Sequence, residues 1–163
     1  MAARPVNLLP SVLDRLIDDH PDSPHDPPKS RPQQLASLRD SVRRDLEALL
    51  NHHRRCLSPP PGLGELDLSV VEYGAPDFLS LFAGEESFRE QFRRSLEDII
   101  RRYEPRFVSV KVTIKHMGDS VDRTLKFRID AMMYAEPAPE PVSFDSRLDP
   151  ASQAFAVSGG ADG

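Results

Sequence analysis

The stretch Ile99-Ile100-Arg101-Arg102-Tyr103-Glu104-Pro105-Arg106-Phe107-Val108-Ser109-Val110-Lys111-Val112 changes its apolar period partway along. Upstream, Phe88, Phe92, Leu96, Ile99 and Tyr103 recur at helical spacing, and Ile100 widens the stripe. Downstream, Val108, Val110, Val112 and Ile114 alternate with Ser109, Lys111, Thr113 and Lys115, as a half-buried strand requires. Pro105 stands at the change. It has no amide hydrogen and pushes Glu104 away from helical angles, so the helix is predicted to stop at about Tyr103. Glu104 and Arg106 then occupy a rigid corner. They are either a plain helix stop with two solvated or mutually paired charges, or fixed charges offered to a partner.

Working outward, Leu125, Phe127, Ile129, Ala131 and Met133 alternate with Thr124, Lys126, Arg128 and Asp130. With turn chemistry at Met117-Gly118-Asp119-Ser120, the two runs predict an antiparallel hairpin with one face on helices. Its other face carries Lys111, Lys115, Lys126 and Arg128, and is expected to be wet or to meet an acidic partner. Beyond Pro137, Pro139 and Pro141, the segments 142–144 and 154–157 are short enough for edge strands or straps. Towards the N-terminus, Leu35, Leu38, Val42, Leu46, Leu49 and Leu50 make a second helix, and Pro76 opens a short one over 77–82. Leu8, Leu9, Val12, Leu13, Leu16 and Ile17 line one face of a first helix of about three turns. That helix packs on its own domain or lies in a partner's groove. The proline-rich run from Pro21 to Pro32 reads as a semi-rigid tether.

The fold class expected is α+β: two long helices on a small antiparallel sheet, preceded by an amphipathic helix on a proline-rich tether. The boundaries expected are 1–20 for that helix, 21–34 for the linker, 35–158 for the domain and 159–163 for a disordered tail.

A chain of 163 residues suits one domain with extensions. Its net charge of −5 and pI near 5.5 argue against nucleic acid, whose binders carry a basic stripe. Cys56 alone cannot form an intrachain disulfide, which suits a reducing compartment. Asp14, Arg15, Asp18 and Asp19 interrupt the first apolar stretch, so neither a signal peptide nor a membrane span is expected.

Catalytic patterns are sparse. Glycoside hydrolysis needs two carboxylates facing one bond, and Glu104 has no evident partner among Glu72, Asp77 and Glu136. His52 and Cys56 are one helical turn apart, but a tetrahedral metal site needs two more ligands that His20, His25 and His116 do not supply by spacing. Catalytic, cofactor and metal residues are therefore expected to be none.

A helix, Glu104-Pro105-Arg106 and an alternating strand resemble the TssE family of type VI secretion baseplate proteins and the related wedge protein of contractile phage tails. Further blocks resemble that family in order: Arg44-Asp45-Leu46-Glu47-Ala48-Leu49-Leu50-Asn51, Ser69-Val70-Val71-Glu72-Tyr73-Gly74-Ala75-Pro76-Asp77-Phe78, and Val142-Ser143-Phe144-Asp145-Ser146-Arg147-Leu148-Asp149. The resemblance implies a structural, non-enzymatic baseplate subunit. It would join the wedge of TssF and TssG, contact TssK and offer a platform to the sheath of TssB and TssC. It would lie in the cytoplasm, in a baseplate docked at the inner membrane complex. Glu104, Pro105 and Arg106 are the expected wedge contact, with Tyr103 and Phe107 setting the corner's rigidity. Leu9, Leu13 and Leu16 are the expected contact of the first helix. On this basis Arg106→Ala should weaken the wedge and spare the fold. Sheath strands would add at an edge of the 107–134 hairpin, near Val112 or Ile129. The alternatives are a lysozyme-like peptidoglycan hydrolase and a generic interaction adaptor.

Overall fold

Helix gives way to strand at Pro105. The computed structural model describes residues 10–18, 21–22, 28–54, 62–76, 86–117, 124–135, 138–149 and 151–160. In it α3 spans Glu86–Tyr103 and β1 spans Phe107–Met117. Helix α3 buries Phe92, Leu96, Ile99 and Ile100, while α2, Arg31–Asn51, buries Leu38, Val42, Leu46, Leu49 and Leu50. The two stripes share one core with Val110 and Val112 of β1 and the buried rows of β2 (Leu125–Met133), β3 (Glu140–Asp149) and β4 (Ala154–Gly159), α3 lying along β1 and α2 along β4. Phe127 lies at the centre, edge-on to Phe92 at 5.7 Å and to Phe155 at 6.1 Å between ring centroids. Removing such a buried ring typically costs about 3–5 kcal/mol.

The sheet has the order β1-β2-β3-β4, and every neighbouring pair is antiparallel. The α+β class expected from the sequence is the one observed. Several details differ. The segments after Pro141 are full strands: β3 pairs with β2 from Leu125↔Leu148 to Met133↔Glu140. Strand β2 is therefore internal, and Ile129 sits between Val112 and Phe144 instead of at an edge. Pro141 is tolerated because β4 pairs only as far as Phe144↔Gly159, so the missing amide faces a side of β3 where no described strand residue lies opposite.

Two bulges shift the β1 register, between Phe107 and Ser109 and between Ile114 and His116. The first turns Val108 outward to 49% exposure, although strict alternation placed it in the core row. Helix α2 begins at Arg31, four residues before Leu35, because Ser30 N–H and Oγ–H donate to Gln33 Oε1 at 2.8 and 2.9 Å. At the other end β4 runs to Gly159 and Gly160 N–H donates to Ser143 O at 2.9 Å, so the expected tail does not begin at 159.

Helix α1 covers Val12–Leu16, fewer turns than predicted, with Ser11 as its cap. The run between α2 and α3 contains 3-10 turns at Gly64–Leu68 and Val70–Glu72. The helix predicted over 77–82, the turn at 118–120, and Leu8 and Leu9 lie outside the described residues.

Candidate functional site

The corner between α3 and β1 is built by its own backbone first. Glu104 N–H closes the helix on Ile100 O at 2.8 Å, Phe107 N–H returns to Glu104 O at 3.2 Å, and Tyr134 N–H reaches Arg106 O at 2.8 Å. This geometry turns the Glu104 side chain inward, to 4% exposure. A buried carboxylate needs a partner. Arg106 supplies it as a fork: Nε donates to Glu104 Oε1 at 2.6 Å and an NH2 to Oε2.

The same guanidinium reaches across to α2, to Ser41 Oγ at 3.2 Å and to the Asp45 carboxylate. Burial favours the neutral guanidine, but Glu104 and Asp45 outweigh it and push the Arg106 pKa up. Glu104 and Arg106 are thus paired with each other, as one of the two readings of the corner had it, and with Asp45 they clamp α3, β1 and α2 together while Arg106 stays partly exposed. Since Glu104 sits buried behind Arg106, loss of Arg106 is expected to cost stability, contrary to the fold-sparing substitution expected from the sequence.

Around the clamp lies an aromatic wall. Tyr73 meets Tyr103 edge-on at 5.2 Å and His52 at 5.4 Å. Burial, with the negative charge of Asp45 and Glu104, pushes the Tyr73 hydroxyl pKa up. Gly74, at φ +113°, lets the chain pass so close to His52 O that a Cβ would lie 2.2 Å from it. Ala75 N–H then donates to His52 O at 2.8 Å, and Arg54 N–H to Ala75 O at 2.9 Å. Glu72, also buried, is ion-paired with Arg54. Blocks far apart in sequence, around Asp45, Tyr73-Gly74 and Glu104-Pro105-Arg106, thus converge on one place.

Of the predicted site residues, Tyr103 and Phe107 are half-buried, and the Phe107 ring faces Phe144 at 6.4 Å. Pro105 is exposed. Beside it the surface carries Val108, 49% exposed, and Tyr134, 63% exposed, neither of which was singled out from the sequence. The bulge that exposes Val108 leaves no composition signal. Tyr134 continues the outward row of Lys126, Arg128, Asp130 and Met132, where period two places it.

Helix α1 docks through its polar side. Asp14 accepts from Arg44 at 2.8 Å and from Ser41 Oγ, the hydroxyl that also meets Arg106. Leu13 and Leu16, predicted as contact residues, remain 64% and 77% exposed, and Val12 is 74% exposed. Burial pushes the Asp14 pKa up, but bonds from Ser11 and Ser41 and the charge of Arg44 outweigh it, so the pKa is lowered.

For the hydrolase alternative, Arg106 engages both Glu104 oxygens and Arg54 holds Glu72; Asp77 and Glu136 lie outside the described residues. Among the described residues no group of three metal-ligating side chains occurs, and no helix is long and apolar enough to cross a membrane.

The fold and this internally paired corner define a small structural module, an α+β unit whose charged motif holds helices to a sheet. The model of the baseplate wedge protein gp25 family matches residues 36–138, and the chain belongs to that family. This bears out the family recognised from the sequence and gives the chain a structural role in a baseplate. Among curated proteins none matches. A chain of "The baseplate complex from the type VI secretion system" is similar, with TM-score 0.48, 16% identity, and coverage of 69% of this chain and 94% of that one. That likeness is too slight to bear on function.

Proposed function

We propose that this chain is a baseplate subunit of a type VI secretion machine that docks into the wedge of TssF and TssG beside TssK. There it would present a platform for the TssB–TssC sheath, on the cytoplasmic side of the inner membrane complex. The observation that carries this reading is the family match over 36–138, which includes the Tyr103–Phe107 motif and the segments that converge on it. In this reading Glu104 and Arg106 act by holding the corner in shape, with Tyr103 and Phe107 as its packed flanks. Pro105, Val108 and Tyr134 then form the surface that meets the wedge.

Co-purification with TssF and TssG tests the assignment. Tyr134→Ala with Val108→Ser is expected to lose wedge protein while keeping its melting temperature. Undiminished recovery of the wedge would contradict it.

The proposed arm is residues 1–20, tethered by 21–30 to a wedge domain from Arg31 to Gly160. The exposed face of α1, with Leu13, Leu16 and the preceding Leu9, is its contact with a baseplate neighbour. Deletion of 1–28, which keeps the Ser30 cap, is expected to leave the core folded and to weaken incorporation. An unfolded product would show that α1 belongs to the core.

For the sheath, strand addition is proposed along β1, because β2 is internal and the middle of β4 is occupied by α2.

A further inference from the structure

The sheet face turned away from the helices carries Lys111, Lys115, Lys126, Arg128 and Arg147 against Asp130, Asp145 and Asp149, in a chain whose net charge is −5. Arg128 is drawn to Asp130 and Asp145, and Lys115 Nζ lies 2.7 Å from Asp145. Lys126 and Arg147 are different. They are direct cross-strand partners in the β2–β3 register, both exposed, and no described carboxylate forms an ion pair with either at contact distance; Arg147 acts on Asp149 only through its longer-range charge. Like charges directly opposite in a sheet are destabilising, so this pair breaks a local rule that Asp149 offsets only in part. Together with Lys115 and Asp145 the two cations line a depression of about 460 Å³ that continues to Ala156 and Ser158.

We propose that this depression binds an acidic segment of a partner protein, with its carboxylates between Lys126 and Arg147. The site is separate from the corner and does not rest on the wedge reading. Charge complementarity favours a short run of carboxylates over a polyanion. The basic patch is local and is interrupted by Asp130, Asp145 and Asp149, whereas nucleic acid and anionic bilayers select extended basic surfaces. A second depression of about 520 Å³ on the same face, lined by Met132 and Pro141 beside Lys111 and Asp130, offers apolar contact to the same segment farther along.

The experiment uses the full chain and a fluorescein-labelled peptide with three consecutive glutamates flanked by glycine and serine, read by anisotropy. Binding is expected and should weaken with salt. Lys126→Gln with Arg147→Gln should reduce affinity at least ten-fold and raise the melting temperature, because a repulsion is removed. The charge-matched pair Arg15→Gln with Lys29→Gln should do neither. Equal losses in the two double variants, or no binding at all, would overturn the proposal. So would phosphatidylserine vesicles or a single-stranded oligonucleotide binding as tightly with the same dependence on Lys126 and Arg147. A lower melting temperature of the Lys126/Arg147 variant would also overturn it, by showing that the cations are already neutralised within the chain.

Discussion

The two edges of the sheet are finished differently. Along β4, Asn51 donates to Phe155 O and accepts from Phe155 N–H, at 2.8 and 2.9 Å. One turn back, Glu47 accepts from Val157 N–H, and Arg43, a further turn back, donates to Val157 O, both at 3.3 Å. Along β1, α3 supplies Glu97 to Val112 N–H at 2.9 Å and Arg101 to Val110 O at 3.2 Å. Strand period two turns Ile114 N–H to that same side, and no described side chain takes it.

A helix can stand in for a strand here because four helical residues rise about 6 Å, close to the ~6.7 Å of two strand residues. Helix α2 does this over both peptide groups of two residues and is tied again, on another face, to Arg106. Among the described residues, helix α3 does it only between Val110 and Val112, so that there the β4 edge is closed and the β1 edge partly open.

Cutting the second tie of α2 should have the largest effect. Arg106→Ala leaves Glu104 buried without its partner, and breaking such a pair costs about 3–5 kcal/mol. In a domain of this size that lowers the melting temperature on the order of 10 °C. Arg106→Lys should recover only part of it, because an ammonium cannot fork. A melting temperature within a degree or two of wild type for Arg106→Ala would break the comparison. Next comes the closed edge: Asn51→Leu strands the N–H and C=O of Phe155, and thermal denaturation should show a loss of about 2–3 kcal/mol.

The open edge should be more forgiving. Glu97→Gln keeps an acceptor for Val112 N–H and loses charge against Arg93 and Arg101, so about 1 kcal/mol is expected. A cost above that of Asn51→Leu would reverse the ranking of the edges. The smallest effect is the acid release of α1. Because the Asp14 pKa is lowered on folding, its contribution is complete above the ordinary aspartate value of 3.8 and is lost as pH falls through the lower folded value. NMR shifts of Leu13 and Ser41 should stay constant from neutral pH to about pH 5 and move together below about pH 4. Movement between pH 5 and 7 would assign the tie to another group.

The helix stop at Pro105, the buried stripes and the alternating rows were legible because each is a local consequence of spacing or of the proline ring. The start of α2 was legible too, in Ser30-Arg31-Pro32-Gln33, but the apolar period begins only at Leu35 and drew the boundary there. Glu104 and Arg106 were found by motif, yet their direction was not. Whether a charge at a corner faces out or in depends on Ser41 and Asp45, some sixty residues away. The edge caps were invisible for a related reason. Arg43, Glu47 and Asn51 look like a solvated helix face until β4 lies beside them. Val108 needed the bulge, which no periodicity announces.

The claim that β1 is the open edge is tested most directly by hydrogen exchange of individual amides, measured with and without the sheath proteins TssB and TssC. In the free chain, Ile114 N–H should exchange fast while Phe155 and Val157 N–H are protected by Asn51 and Glu47. On addition of the sheath proteins, Ile114 should become protected and Phe155 and Val157 should stay as they were. Protection gained at Phe155 and Val157, with Ile114 still exchanging fast, would contradict the account.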